Sequence, residues 1–304
     1  MILYDRILPS SDLPDTAVAL GLFDGVHRGH QAVIQGAVDS DLLPGVFSFR
    51  FDRHAVITKK QYGRILSPEL KRERLSKMGV QFMLEPPFSS IMTMQPEAFI
   101  HGVLFNFCHA KALFCGEDFR FGKNAEGDVA LLEKCCREEG VRLTIVPPVL
   151  EGGMPVSSTR IRSALREGDV ALANRLLGFP YMTSGEVVHG RHLGAKLGFP
   201  TINQLFSPDD LIPRFGVYAT LVTIDGKKYV GATDIGVKPT VGEGYAPAAE
   251  TYILDFNGDL YGRKLTLSYH AFLRGEKKFA SLEELTATVL DNAETARELL
   301  ADLI

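Results

Sequence analysis

Two histidines three residues apart, His27 and His30, stand in the run Phe23-Asp24-Gly25-Val26-His27-Arg28-Gly29-His30, where an apolar stretch gives way to a helix-like one. On the first turn of a helix that spacing puts both imidazoles on one face. Gly25 and Gly29 let backbone approach a bulky ligand closely. The N–H groups of a helix start favour phosphate, and two imidazoles there would donate hydrogen bonds to the phosphates of a nucleotide such as ATP as charge builds in a transition state. The same residues equally describe a pair that merely caps or packs at the helix start.

A second cluster lies further on, in Gly190-Arg191-His192-Leu193-Gly194-Ala195-Lys196-Leu197-Gly198-Phe199-Pro200-Thr201-Ile202-Asn203. It is neither a Walker A loop nor a dinucleotide fingerprint. Gly194 and Gly198 would bring backbone N–H groups to phosphates, with Lys196 adding charge. Thr201 and Asn203 offer neutral oxygens to a hard cation, which Mg²⁺ commonly shares with substrate phosphates. By residue type alone it is also an ordinary loop of turn residues. Between the two clusters, Ser157-Ser158-Thr159-Arg160-Ile161-Arg162 presents hydroxyls and a guanidinium ahead of a helix expected from Ser163. Arg162 there would hold a triphosphate by paired hydrogen bonds; the alternative is an N-cap run with solvated arginines. Asn124 and Asp128 read as a polar turn, and Glu250 as a carboxylate at the start of a strand.

The elements that must position these residues change character along the chain. Thr16 to Phe23, Gly45 to Phe49, Val80 to Leu84, Ala112 to Gly116 and Arg142 to Val146 read as strands. Gln31 to Val38, Glu69 to Met78, Pro96 to Asn106 and Val129 to Glu139 read as helices between them, with Ser67 and Pro68 opening the second. That alternation is the pattern of a parallel sheet wrapped by helices. Ser163 to Leu177 gives one more amphipathic helix, stopped by Gly178 and Pro180. Beyond it come short strands with tight-turn signals, Asp225-Gly226 and Asn257-Gly258, each expected to close a hairpin in a small antiparallel barrel. The chain closes with a helix from Ser281, whose capping box is completed by Glu284. With 304 residues, two domains are expected, 1–180 and 181–304.

From Leu22 to Gln31 the chain resembles the His-x-Gly-His motif of the nucleotidyltransferase superfamily, in the form used by the FMN adenylyltransferase half of bacterial bifunctional riboflavin kinase/FAD synthetases. Gly116 to Asp128 resembles that family's glycine-rich flavin-side loop, and Val156 to Arg162 its Ser-Ser-Thr-x-x-Arg phosphate motif. Gly198 to Asn203 resembles the Gly-Phe-Pro-Thr-Ala-Asn motif of riboflavin kinase, followed in order by Pro213 to Tyr218, Asp234 to Thr240 and Glu250 to Gly262. The resemblance implies a Rossmann-like nucleotidyltransferase domain followed by a riboflavin kinase-like barrel with a C-terminal helix. It implies FMN made from riboflavin and ATP, then FAD made from FMN and ATP with release of pyrophosphate, both with Mg²⁺. It casts Glu250 as the general base of the kinase, His27, His30 and Arg162 as catalytic at the first site, Phe23, Asp24, Gly25, Gly29 and Ser157 to Thr159 as phosphate-binding, and Asn124 and Asp128 as flavin-side. The chain departs from the family pattern at Ser48 to Ala55, at Gln81, at Ala195, at Ile202 and at Asp234.

A net charge of −4 and no basic stripe point away from nucleic acid as a partner. No apolar run reaches membrane-spanning length and the first residues carry no signal-peptide pattern, so a cytoplasmic protein is expected. The four cysteines form no Cys-x-x-Cys pair and read as reduced thiols. The sequence leaves the oligomeric state open. Two other readings compete: a kinase whose first half has decayed, and a flavin- or nucleotide-binding regulator without turnover. The set His27, His30, Arg162, Thr201, Asn203 and Glu250 speaks against the regulator, which needs neither base nor metal pair. An adenylyltransferase for pantetheine phosphate or a nicotinamide nucleotide would lack the kinase-like second half.

Overall fold

Short apolar segments of the first half line up as parallel strands in a computed structural model of the chain, which describes residues 1–51, 63–190, 194, 197–239 and 245–304. They are β1 (Ile2–Tyr4), β2 (Thr16–Leu20), β3 (Leu43–Phe47), β4 (Phe82–Leu84), β5 (Ala110–Gly116) and β6 (Arg142–Val146), in the order β1-β4-β3-β2-β5-β6 with every pairing parallel. All five residues of β2 are buried, as expected of a strand covered on both faces. The connecting helices are α1 (Arg28–Val38), α2 (Pro68–Lys77), α3 (Pro96–Ala98), which runs on as a π-helical stretch Phe99–Phe107, and α4 (Val129–Glu139). Ser67 caps α2 through the Leu70 N–H, as its sequence predicts. A short hairpin, β7 (Leu150–Glu151) and β8 (Met154–Pro155), follows β6.

Because β3 and β5 flank β2 on opposite sides, the carboxyl end of β2 is the topological switch point of the sheet, the place where open α/β sheets bind ligands. Leu20, Phe47, Phe82, Leu84 and Phe107 fill the core beneath it, each full burial of this kind contributing about 1.5–3 kcal/mol. Cys108, Cys115, Cys135 and Cys136 are all buried; burial pushes the Cys115 thiol up to about 11 and Cys136 to about 12.

Two sequence expectations need correction. The helix expected over Ser163 to Leu177 begins earlier and is two helices, α5 (Ser158–Glu167) and α6 (Val170–Leu177). Gly168, at φ 84°, ends the first turn run, and Asp169 starts a new one by accepting the Leu172 N–H at 2.9 Å. The second correction concerns Asn257-Gly258, treated below. In packing, Met1–Lys59 and Lys71–Ser157 form one compact unit, Lys60–Leu70 and Ser158–Ile304 another.

The second unit is built on β9 (Tyr181–Val188), β10 (Thr201–Leu205), β11 (Gly216–Ile224), β12 (Lys227–Pro239), β13 (Tyr245–Ile253) and β14 (Lys264–Arg274), closed as an antiparallel barrel in the order β10-β13-β12-β11-β14-β9. Asp225 and Gly226, both at positive φ, close the β11–β12 hairpin as expected. Asn257-Gly258 closes no hairpin. Both edges of β13 are taken by β10 and β12, so β14 pairs with β11 and β9 instead. The intervening segment is left outside the strand ladder. Inside the barrel Thr220, Thr233 and Thr251, all fully buried, bond hydroxyl to hydroxyl at 2.8 and 2.9 Å. The final helix α7 (Leu282–Leu300) buries Ala293, Ala296 and Leu300 against Ala219, Leu221 and Val230. Ser281 caps it by accepting the Glu284 N–H, while the Glu284 carboxylate takes the N–H of Ala280.

Candidate active sites

At the switch point the chain leaves β2 in a turn with three residues at positive φ, namely Phe23 (54°), Gly25 (85°) and Val26 (42°). A β-branched residue in that region costs on the order of 1–3 kcal/mol and persists only where its surroundings hold it. Here the Val26 carbonyl accepts from Gln31 Nε2 at 2.8 Å and the Val26 N–H reaches the Phe23 carbonyl. The turn delivers His27 to the N-cap of α1. Its Nδ1 accepts the His30 N–H at 3.2 Å, so the neutral ring carries its proton on Nε2. The two imidazoles are stacked, centroids 3.5 Å apart, and Phe23 meets His30 edge-on at 5.3 Å. A Cβ on Gly29 would lie 3.2 Å from His27 Cε1 and 3.5 Å from the Val156 carbonyl oxygen, so a side chain there would press on the His27 ring. The expected capping and the expected pairing on one face therefore both occur.

Four residues that the sequence left unremarked as site residues sit beneath this turn. Lys71, 8% exposed, donates from Nζ to the Leu22 carbonyl (3.0 Å), Ser48 Oγ (2.7 Å) and Glu85 Oε1 (3.1 Å). Arg72 reaches the other Glu85 oxygen at 2.7 Å, and Ser48 Oγ donates to the same Leu22 carbonyl at 2.9 Å. Burial holds Lys71 below the usual lysine range, opposed by the charges of Glu85 and Asp24. Burial alone would raise Glu85, but the Lys71 charge and the hydrogen bonds from Arg72 and Lys71 outweigh it and hold it below 4.5. Lys71 lies in Glu69-Leu70-Lys71-Arg72-Glu73-Arg74, a run that reads as a solvated face; no spacing in the sequence marks it.

Ser157 precedes α5, and Ser158, Thr159 and Arg162 lie on its first turns, so the hydroxyls open this helix rather than stand ahead of it. Arg162 Nε donates to the Gly63 carbonyl at 3.0 Å. Asp128 caps α4, accepting the Leu131 N–H at 2.9 Å, with Arg120 at 3.4 Å on its second oxygen. Asn124, at φ 57°, is exposed on the preceding turn and contacts Glu126.

In the barrel, Thr201 at the start of β10 donates its hydroxyl to Glu250 Oε1 at 2.8 Å. Glu250 is the register partner of Asn203 on one side and of Asp234 on the other, so the three neighbouring strands gather a hydroxyl, an amide and two carboxylates. Gly190 permits this crowding: a Cβ there would fall 2.4 Å from Asn203 Nδ2. The Gly194 carbonyl accepts the N–H groups of Leu197 and Phe199 and so closes the strap on itself, while Gly198 is at φ 88°. Lys196, the neighbouring Ala195, and the departing residues Asp52 to Ala55 lie outside the described residues. A cleft of about 370 Å³ opens beside Thr201, walled by Pro200, Ile202 and the segment Phe256 to Tyr261. His189 stacks on Tyr261 at 3.9 Å. The wall is the stretch that Asn257-Gly258 was expected to fold into a hairpin.

A parallel sheet with paired histidines at its switch point, and a closed barrel that sets a carboxylate beside a hydroxyl at a cleft, define a two-unit phosphate-transferring enzyme. The family model for FAD synthetase matches residues 10–160 and that for riboflavin kinase residues 177–300. The bifunctional riboflavin kinase/FMN adenylyltransferase of Listeria monocytogenes is 36% identical over 293 residues, 94% of this chain and 93% of its own. That of Escherichia coli is 38% identical over 92% of this chain and 91% of its own. A crystal structure described as a macrolide-efflux protein from Streptococcus pneumoniae superposes with a TM-score of 0.86 at 29% identity, covering 97% of this chain and 98% of that one. The chain belongs to the family of bifunctional riboflavin kinase/FMN adenylyltransferases. Among the described residues no helix is long and apolar enough to cross a membrane.

Proposed function

We propose that the chain phosphorylates riboflavin to FMN at the barrel and adenylylates FMN to FAD at the parallel sheet, using one ATP in each step. The observation that carries this reading is the Thr201–Glu250 hydrogen bond, with Asn203 opposite, in a chain that also places His27 and His30 together at a switch point. A kinase with a decayed first half has no use for that stacked pair.

At the barrel, Glu250 accepts the proton of the ribityl 5′-hydroxyl as the oxygen attacks the γ-phosphorus of ATP, and ADP leaves. The hydroxyl of Thr201 and the amide oxygen of Asn203 suit Mg²⁺, a hard cation that takes oxygen donors and keeps substrate phosphates among its ligands. When bound, the ion would neutralise charge on the phosphates. Gly194, Lys196 and Gly198 are assigned to the nucleotide side.

At the sheet, an FMN phosphate oxygen attacks the α-phosphorus of ATP and pyrophosphate leaves. No covalent intermediate with the enzyme is needed, so positioning and charge neutralisation carry the rate. His27 donates from Nε2, and His30 and the N–H groups of α1 act beside it on the phosphates. Phe23, Asp24, Gly25 and Gly29 shape that pocket, Ser157, Ser158, Thr159 and Arg162 hold the triphosphate, and Asn124 and Asp128 face the flavin. Residues 1–180 serve the adenylyl transfer and 181–304 the kinase reaction, in a cytoplasmic enzyme acting on small molecules, without nucleic acid.

The test is to incubate purified protein with riboflavin, ATP and Mg²⁺ and to separate the products by chromatography with fluorescence detection. FMN followed by FAD is expected, and a chelator in excess of Mg²⁺ should stop both. FMN without FAD would leave only the kinase, and no conversion would favour the regulator.

A further inference from the structure

The strained turn at the switch point is held from below by a buried charge. The Leu22 carbonyl lies beyond β2, past the end of the ladder that pairs Thr16 to Leu20 with β3. It instead accepts from Lys71 Nζ and Ser48 Oγ, and Lys71 is itself fixed by Ser48 and Glu85. Glu85 is held in turn by Arg72 and follows β4 directly, with its own N–H on the Tyr4 carbonyl. Ser48 follows β3 in the same way, its N–H on the Leu84 carbonyl. The carboxyl ends of β2, β3 and β4 therefore converge on one ammonium group carried by α2.

Resting on the adenylyltransferase reading above, we propose that Lys71 is a positioning residue for FMN adenylylation. By anchoring the Leu22 carbonyl it fixes the Phe23–Val26 turn, and so sets where His27, His30 and the first N–H groups of α1 meet the phosphates. An ammonium suits this post because it has three donors and no acceptor, matching three acceptors at 2.7–3.1 Å. Glu85 supplies the countercharge that lets the ammonium stay buried. Asp24, two residues past Leu22, adds a second negative charge within range.

Lys71→Met keeps an unbranched side chain one atom shorter and removes its donors. In the full chain, FAD formation from supplied FMN should fall in kcat by roughly ten- to a hundredfold, as misplacement of a catalytic array by a fraction of an ångström to one ångström does. The KM for FMN should stay within about twofold, because the array acts on the transition state rather than on flavin binding. FMN formation from riboflavin in the same sample should be unchanged, which reports on the barrel, and a cooperative thermal melt of the first unit reports that the sheet carrying Lys71 is folded. Ser48→Ala removes one donor to Leu22 and leaves the ion pair in place; it should lower the same kcat in the same direction, by less. A folded Lys71→Met protein with wild-type kcat, or one whose loss lies wholly in KM, overturns the positioning role. So does an unaltered kcat in Ser48→Ala should Lys71→Met not fold. Wild-type protein assayed alongside separates the two ideas: if it makes no FAD, the functional reading fails before the inference is reached.

Discussion

Thr201 donates its hydroxyl to Glu250 across the β10–β13 pair at 2.8 Å, and this one bond ties the residue suited to a cation to the residue suited to a proton. The carboxylate oxygen is thereby oriented, because a neighbouring strand sets its rotamer. Replacing Glu250 by Gln preserves an acceptor for Thr201 and removes the base. FMN formation should fall by about 10²–10⁴, while FAD formation from supplied FMN continues. Chromatography of both reactions on one preparation checks this, and loss of adenylylation as well would break the division into two sites.

The two histidines should separate cleanly. His27 both caps α1 and presents Nε2, so His27→Ala should lower FAD formation by about 10²–10³ and unfolding free energy by about 0.5–2 kcal/mol. For His30→Ala the N–H that His27 accepts remains. Its activity loss should be comparable and its loss of cap energy absent. Thermal melts beside the chromatographic assay distinguish the two variants.

Glu85 predicts an acid limb to stability. Its folded carboxyl titrates below 4.5, so the unfolded chain takes up that proton first as pH falls. The stabilisation it provides is complete above that value and is lost as pH drops through the folded one. Glu85→Gln leaves Lys71 buried with one acceptor weakened and should cost about 3–5 kcal/mol at pH 7. It should also flatten the decline below 4.5. Melting temperatures of both proteins from pH 7 to pH 3 test the slope, and parallel curves would contradict the assignment.

The wall of the cleft beside Thr201 is clamped at both ends, Asp255 to Arg297 of α7 at 2.7 Å and Arg263 to Asp225 of the β11–β12 turn at 2.6 Å. Both pairs are exposed, so salt screens them. Arg297→Ala should raise the KM for riboflavin without changing kcat, with the largest difference from wild type at low ionic strength. A KM equal to wild type at low salt would show that the wall holds its shape without the clamp.

Much of the fold was legible in the residues because local rules and tertiary packing agree. The alternation of Thr16 to Phe23, Gly45 to Phe49 and Ala112 to Gly116 with amphipathic helices implies a parallel sheet, and Asp225-Gly226 lies where a tight hairpin needs positive φ. Asn257-Gly258 carries the same local preference yet forms no hairpin, since strand pairing in a closed barrel is decided by which edges remain open. Gly168-Asp169 splits a helix that its periodicity alone would continue. At the sites, His27, His30, Thr201, Asn203 and Glu250 were all visible as residue types in a pattern. Lys71, Ser48 and Glu85 were not, because partners 14 and 23 residues away meet only when three strands end side by side.

The sequence by itself determined which side chains stand together along the chain, in an order shared with one family: paired imidazoles before a helix, a hydroxyl–amide pair after glycines, and a strand carboxylate. Those are properties of side-chain types and short spacings, which local backbone geometry preserves. Only the tertiary structure decided what holds them in place. The buried Lys71 under the Leu22 carbonyl, the Thr201–Glu250 contact and the clamped cleft wall each join segments far apart in the chain. They come into being when strand order brings those segments together, and at Lys71 burial also removes water from a charge that, in the sequence, looks like ordinary surface.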